Sequence, residues 1–287
     1  MKTIYILNPA AGQGEALKYV GADAYITKAK NDATEFVKST IEAKSEPVHF
    51  VICGGDGTVN EVVNGIVSAN GSASFSVVPV GTGNDLLRTM QSLPGDVMAD
   101  VLTVNGRCAM NAINTGFDLD AAVKASEYKK LPLVSGTLAY VLGVIAVLFK
   151  KFGRHIDVTY TDQNDNEHKF SGESLLAVAA NGLYYGGGFK CAPVADITDG
   201  LIDLLIVKKV SRLKFISLVL KYKNGLHINP ETNEPIPSFK KYVVFAKCKR
   251  VVIDGIEKIC ADGEVWDATT ADIGVIKGAV KLTAAEE

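Results

Sequence analysis

Residues 49–66 read HFVICGGDGTVNEVVNGI, and the rest of the chain is best read outward from them. His49 to Cys53 has the apolar run of a strand buried on both faces. A glycine loop follows, and then a helix is expected over 59–67. On the N-terminal side, 3–7 is a short β-rich run. Residues 32–43 place Ala33, Phe36, Val37, Thr40 and Ile41 on one helical face, with Asp32 and Glu35 as a capping pair. On the C-terminal side a strand over 75–80 leads into a second glycine loop and a short helix from Asp85. Strand–helix alternation with uninterrupted apolar strands predicts a parallel sheet covered by helices on both faces.

Beyond residue 110 the pattern changes. Strand-like runs at 156–161, 175–180, 201–207, 242–246 and 251–254 follow one another through turns such as DQNDNE. Helical patterns interrupt them only near 137–150 and 211–223. The expected fold is a Rossmann-like α/β nucleotide-binding domain over 1–110 and a mainly antiparallel β-sandwich, or flattened barrel, over 111–287.

Composition narrows the class. The 287 residues are 47% hydrophobic and 22% charged, as in ordinary globular proteins, which excludes a disordered or coiled-coil chain. Lys and Arg number 30 against 32 Asp and Glu, a net charge of -2, so a nucleic-acid partner is not expected. Five scattered cysteines without a CxxC pair suggest reduced core thiols. The N-terminus runs straight into a strand pattern, so no signal peptide and a cytoplasmic location are expected. Residues 131–149, LPLVSGTLAYVLGVIAVLF, are uncharged and near the length of a spanning helix, but Pro132 and Ser135-Gly136 interrupt the first turn. A buried helix is the preferred reading.

Three glycine-bearing loops each follow a strand: Asn8-Pro9-Ala10-Ala11-Gly12, Gly54-Gly55-Asp56-Gly57-Thr58 and Gly81-Thr82-Gly83-Asn84-Asp85. In an open parallel sheet such loops converge at the carboxyl ends of the strands, where ligands sit. Glycine lets backbone amides approach a phosphate, and a following helix N-terminus adds donors. One such loop is a tight turn; three at equivalent places point to a nucleotide. The loops hold no Walker A triplet, and the third glycine of a GxGxxG pattern falls on Asn60. HRD and DFG kinase signatures are absent. An aspartate inside a phosphate loop is repulsive without a cation, so Asp56 suggests Mg²⁺ with a triphosphate.

GGDGTVNEVVNGI at 54–66 resembles the nucleotide-binding signature of the diacylglycerol kinase catalytic domain family, soluble bacterial lipid kinases related to sphingosine kinases. The likeness continues through NPAAG at 8–12, PVGTGNDLLR at 79–88, NTGFD at 114–118, GGGF at 186–189, Asp199-Gly200 and ADGE at 261–264. GGDGT alone is shared with NAD kinases; GTGND and the late DGE belong with lipid kinases. The resemblance implies ATP bound by the first domain and a lipid in the cleft. It implies nucleotide contacts from Asn8, Pro9, Gly12, Thr27, Gly54, Gly55, Asp56, Gly57, Thr58, Asn60 and Thr82. Asp56 and Asp85 would organise Mg²⁺ and the phosphates, and Glu264 would be the general base. Asp196, Asp199 and the carbonyl of Leu201 match a segment that holds a structural Mg²⁺ in some members. Gln13 stands where some members carry a basic residue.

The implied activity is ATP-dependent phosphorylation of a lipid hydroxyl, with diacylglycerol as the foremost acceptor and phosphatidic acid as product. The alternatives are an NAD kinase-like or other small-molecule kinase, and a catalytically silent ATP-binding regulator. Read without the resemblance, Asp262-Gly263 is a hairpin turn, as is Asp254-Gly255. Such a kinase meets its lipid substrate at a membrane surface, which implies peripheral membrane contact. Residues 208–223, KKVSRLKFISLVLKYK, hold six cations and no acid. They read either as a helix lying on an anionic membrane or as a packed helix with a solvated basic face. Cations not confined to one side favour the packed helix.

Overall fold

Strand β3 (Val48–Gly54) is buried along its whole length, as an uninterrupted apolar run requires. It lies between β1 (Lys2–Leu7) and β4 (Ala73–Pro79), and β2 (Ala24–Ile26) flanks β1. All four strands are parallel. In the computed structural model the described residues are 1–21, 23–43, 46–69, 73–80, 84–128, 142–144, 146–148 and 152–283. Helices α1 (Asp32–Glu42) and α2 (Asp56–Ser68) pack Val37, Val62 and Val63 over Phe50, Ile52 and Phe75. Helix α2 begins at Asp56 and not at 59, so most of the GGDGT loop is the helix's own first turn.

The expected Asp32–Glu35 capping pair is not formed. Asn31 sits at the N-cap with φ 67° and makes no side-chain cap. Glu61 of α2 instead accepts from the amides of Asn31 and Ala33, at 2.9 and 3.2 Å. Asp32 turns to the Lys28 amide and the Tyr25 hydroxyl. A neighbouring helix supplies the acceptor that the local pattern was expected to supply.

After α3 (Asp85–Met90) the chain forms β5 (Val97–Val104), β6 (Arg107–Ala109), β7 (Ala112–Gly116) and α4 (Phe117–Tyr128). Then come β8 (Arg154–Asp162), β9 (Glu167–Ala180), β10 (Ile202–Lys208) and α5 (Arg212–Lys223). A short β11 (Ile228–Asn229) and β12 (Glu234–Pro235) precede β13 (Val243–Asp254), β14 (Lys258–Ala261), β15 (Glu264–Asp267) and β16 (Thr270–Leu282). Pairing among the strands of this half is antiparallel, around a core that includes Leu102, Ile113, Val158, Leu204, Val251 and Ile273.

Two sequence expectations change here. The runs 242–246 and 251–254 are one strand, because the polar Lys247-Cys248-Lys249-Arg250 between them stays in the ladder. Asp254-Gly255 does not close a hairpin: β13 pairs with β8, β10 and β16, whereas β14 pairs with β7 and β15. Of the helix expected over 137–150, positions 137–141, 145 and 149–150 lie outside the described residues, while 142–144 and 146–148 are helical. No helix among the described residues is long and apolar enough to cross a membrane.

Strand β16 joins the two halves. It pairs with β13 at its start and β5 along its length, and ends parallel to β4 through Lys281–Ser74 and Leu282–Phe75.

A buried ion pair lies across β10 and β13. Asp203, 1% exposed, stands opposite Lys247, whose ammonium contacts it at 3.1 Å and Asp199 at 2.8 Å. Removing one member leaves an uncompensated buried charge. Lys247→Met is therefore expected to lower stability by roughly 3–5 kcal/mol, read as a clear fall in Tm by calorimetry. An unchanged Tm would show the pair to be dispensable.

Candidate functional site

The loops after β1 and β3 are tied to each other. The Asn8 amide donates to the Thr58 hydroxyl at 2.9 Å, and the Asn8 backbone N–H donates to the Cys53 carbonyl. Gly12 has φ 57°, and a Cβ there would stand 2.2 Å from the Val80 carbonyl oxygen. Only glycine lets this loop close against the end of β4. Gly54 lies under Thr58, while around Gly57 a Cβ would meet open space. Gly55 at the N-cap of α2 has no side chain with which to cap the helix. Pro9 lies in an exposed turn. Thr27 is buried, and its hydroxyl and amide both donate to the Leu7 carbonyl.

Asp56 and Asp85 come together. Asp56 accepts from the Asp85 amide at 3.0 Å, at the start of α3. Burial raises its pKa, while amides of the α3 start and the charge of Arg88 oppose the shift. Asp85 pairs with Arg88 at 3.0 Å and accepts from the Gly187 amide at 2.8 Å, which links α3 to the GGG loop of the second half. Burial pushes Asp85 up to about 6; the Gly187 amide and Arg88 oppose this, and Asp56 adds to it. Two carboxylates with raised proton affinity are hard oxygen donors crowded together, a set that suits Mg²⁺.

Glu264 is carried by the β14–β15 hairpin, and the turn reading of Asp262-Gly263 holds. Ala261 pairs with Glu264, and Asp262 and Gly263 have φ 47° and 92°, the two positive values of a type I′ turn. The Asp262 side chain points inward. Its carboxylate accepts from the amides of Met110, Asn111 and Ala112 at 2.5, 3.0 and 3.0 Å and from the Asn60 side chain at 3.4 Å. Burial raises its pKa, and those amides hold it down. Two residues on, Glu264 meets the ammonium of Lys30 from the loop before α1.

Other expected residues lie elsewhere. Asn60 is buried and donates to the Cys108 carbonyl at 2.9 Å, next to Asn64, which bonds Cys108 at both its amide and its carbonyl. Thr82 lies outside the described residues. Asp196, Asp199 and Leu201 lie on the turn before β10. Asp196 accepts from the Thr198 amide and hydroxyl, and Asp199 accepts from the Leu201 amide and Lys247. Lys247 supplies the positive charge, and no acidic, histidine or cysteine trio able to hold a metal occurs among the described residues.

Several residues escaped sequence reasoning. Lys30 carries no local signal. Asp262 read as turn chemistry and as part of the ADGE match, with no signal for its inward-pointing carboxylate. Asp100 accepts from Gly200 and Gly278 at 2.6 and 2.7 Å, and Asn181 donates to the carbonyls of Asp100 and Met110. Asp118 accepts from Asn114 and from the Leu119 amide, and burial pushes it to about 6.

Two tests follow from this geometry. Asp262→Ala leaves three consecutive amides without their acceptor, each costing about 1–3 kcal/mol; a Tm close to that of the parent chain would show that they find other partners. The second test is pH. Asp85, Asp118 and Asp203 are each raised to about 6 in the folded chain, against about 3.9 unfolded. Between those values the folded state binds more protons, so stability falls as pH rises from about 4 through 6. Asp162 and Asp272, held low by His168 and Arg250, give up their stabilisation only as pH falls below about 4. His227, which burial holds down to about 4, works against the three raised aspartates over the same window, but together the three should make Tm decline from about pH 4–5 toward 6, and Asp118→Asn should flatten that decline. A Tm that climbs steadily to neutral pH would contradict these shifts.

The diacylglycerol kinase catalytic domain profile matches residues 2–112, and the YegS C-terminal NAD kinase beta sandwich-like domain profile matches residues 111–284. A diacylglycerol kinase of Bacillus subtilis (strain 168) is 28% identical over 255 residues, 84% of this chain and 78% of that protein. A crystal structure of a diacylglycerol kinase from Bacillus anthracis str. Sterne superimposes with a TM-score of 0.66 at 20% identity, covering 98% and 96% of the two chains. A further structure from that strain gives 0.71 at 22% identity, with 98% and 96% coverage. With one profile on the glycine-loop half and the other on the sandwich that carries the DGE hairpin, the chain belongs to the diacylglycerol kinase family of lipid kinases.

Proposed function

We propose that this protein transfers the γ-phosphoryl group of ATP to a lipid hydroxyl, with diacylglycerol as acceptor and phosphatidic acid as product. The observation that carries the reading is the hairpin that brings Glu264 from the second half to Lys30 of the first. The loops at 8–12 and 54–58 present their backbone amides to the nucleotide phosphates. Glu264 takes the proton of the acceptor hydroxyl as its oxygen bonds to the γ-phosphorus and the bond to the β-phosphate oxygen breaks, releasing ADP. Lys30 engages Oε2 of Glu264, and Oε1 is the proposed proton acceptor. Asp56 and Asp85 would hold Mg²⁺, which when bound neutralises charge on the phosphates.

The test is transfer of label from ATP to diacylglycerol, phosphatidylglycerol, undecaprenol or sphingosine in mixed micelles, with NAD as a soluble acceptor alongside. Label in diacylglycerol supports the proposal. Label in NAD alone identifies a small-molecule kinase, and ATP binding without transfer to any acceptor identifies a silent regulator. Glu264→Gln should lower transfer by roughly 10²-fold or more while ATP affinity by calorimetry stays near that of the parent. Near-parental turnover would remove Glu264 from the mechanism.

A further inference from the structure

Helix α5 is apolar on two opposite sides. Leu218 and Tyr222 enter a core with Leu205 and Phe239, and Phe215 packs edge-on against Phe117 and Phe152. On the outer side Leu213, Ile216 and Leu220 are 81%, 56% and 69% exposed. Their i, i+3, i+7 spacing stacks them into one ridge. A surface helix ordinarily turns polar residues outward, so three large apolar side chains in a row there need an occupant.

The cations show which one. At 3.6 residues per turn, Arg212 and Lys223 lie along one flank of the ridge and Lys214 and Lys221 along the other. Cations on both sides looked, in sequence, like an argument against a membrane face; around an outward apolar ridge they are the arrangement such a face requires. Arg212, Lys214 and Lys223 lie over the rings of Phe152, Tyr242 and Phe189 at 5.4, 5.3 and 5.6 Å, which steadies them beside the ridge. The segment 208–223 has no acidic residue. A second copy of the same helix would set these cations against their own kind. An anionic lipid surface would receive the leucines below its head groups and the cations among them.

We propose that α5 docks this protein on anionic lipid surfaces, with Leu213, Ile216 and Leu220 inserted and Arg212, Lys214, Lys221 and Lys223 at the head groups. The purpose of docking rests on the lipid-acceptor reading above; the surface itself does not.

The experiment is cosedimentation of the full chain with vesicles of phosphatidylcholine alone or mixed with phosphatidylglycerol. Binding is expected to the mixed vesicles only, and to be lost near 1 M salt, where the screening length is about 3 Å. Lys221→Glu with Lys223→Glu should weaken binding by about tenfold or more. Leu213→Ser with Leu220→Ser should do so without lowering Tm, since these side chains are exposed. Both double variants should keep ATP affinity and transfer to diacylglycerol in detergent micelles. Vesicle binding through the ridge by a protein that phosphorylates no lipid keeps the docking surface and removes the proposed function. Parental vesicle binding by both double variants, equal binding to uncharged vesicles, or a dimer by light scattering that Leu213→Ser with Leu220→Ser dissociates, overturns the docking surface.

Discussion

Three consecutive backbone amides, those of Met110, Asn111 and Ala112, converge on the carboxylate of Asp262. The chain passes here from one half of the molecule to the other, and in such a buried crossing each N–H must find an acceptor. One side chain from some 150 positions away satisfies all three. The same residue opens the turn that carries Glu264, so the contact that closes the crossing also sets where Glu264 emerges. Asn181 completes the junction by donating to the Met110 carbonyl, and Asn60 and Asn64 tie α2 to Cys108 just upstream.

The same device recurs. Glu61 takes amides at the start of α1, Asp56 takes one at the start of α3, Asp85 takes that of Gly187, and Asp100 takes those of Gly200 and Gly278. Charged acceptors bond amides more strongly than neutral ones, and they do so where glycine-rich loops offer little side-chain packing. The electrostatic cost appears as raised proton affinity at Asp56, Asp85, Asp100 and Asp262. Acidic residues that read as motif chemistry are also the fasteners of the loops around them.

How much was legible follows from the range of each determinant. Strand β3 was readable because a parallel strand buried on both faces writes an uninterrupted apolar run, whereas β1, exposed at its start, and β4, interrupted by Ser74 and Ser76, were readable from short β-rich runs and the glycine loops after them. The cap of α1 was misread because its acceptor, Glu61, lies on another helix. Strand β13 was cut in two because Lys247 looks like a break until Asp203 is placed opposite it. Lys30 left no trace because an exposed lysine between helix and strand signals carries no pattern. On α5 the sequence shows two apolar faces, and only packing against Phe117, Phe152 and Phe239 decides which of them turns outward.

The contacts between the halves are unequal, and their inequality has a direction. Asp85 reaches Gly187 from a buried position, and Thr89 of the same helix accepts from the Leu183 amide, so two hydrogen bonds tie α3 to the segment that carries the glycine loop. Asp262 binds its amides out of solvent, where a hydrogen bond to a charged group is worth about 1.5–3 kcal/mol. The Lys30–Glu264 pair is solvent-facing on the lysine side, with Lys30 66% exposed, and exposed pairs contribute about 0–1 kcal/mol. The junction is therefore rigid at its base and weakly latched at the carboxylate proposed to meet the acceptor. The turn presenting that carboxylate stays fixed by Asp262, and the oxygen of Glu264 that Lys30 does not engage is the one proposed to take the acceptor's proton.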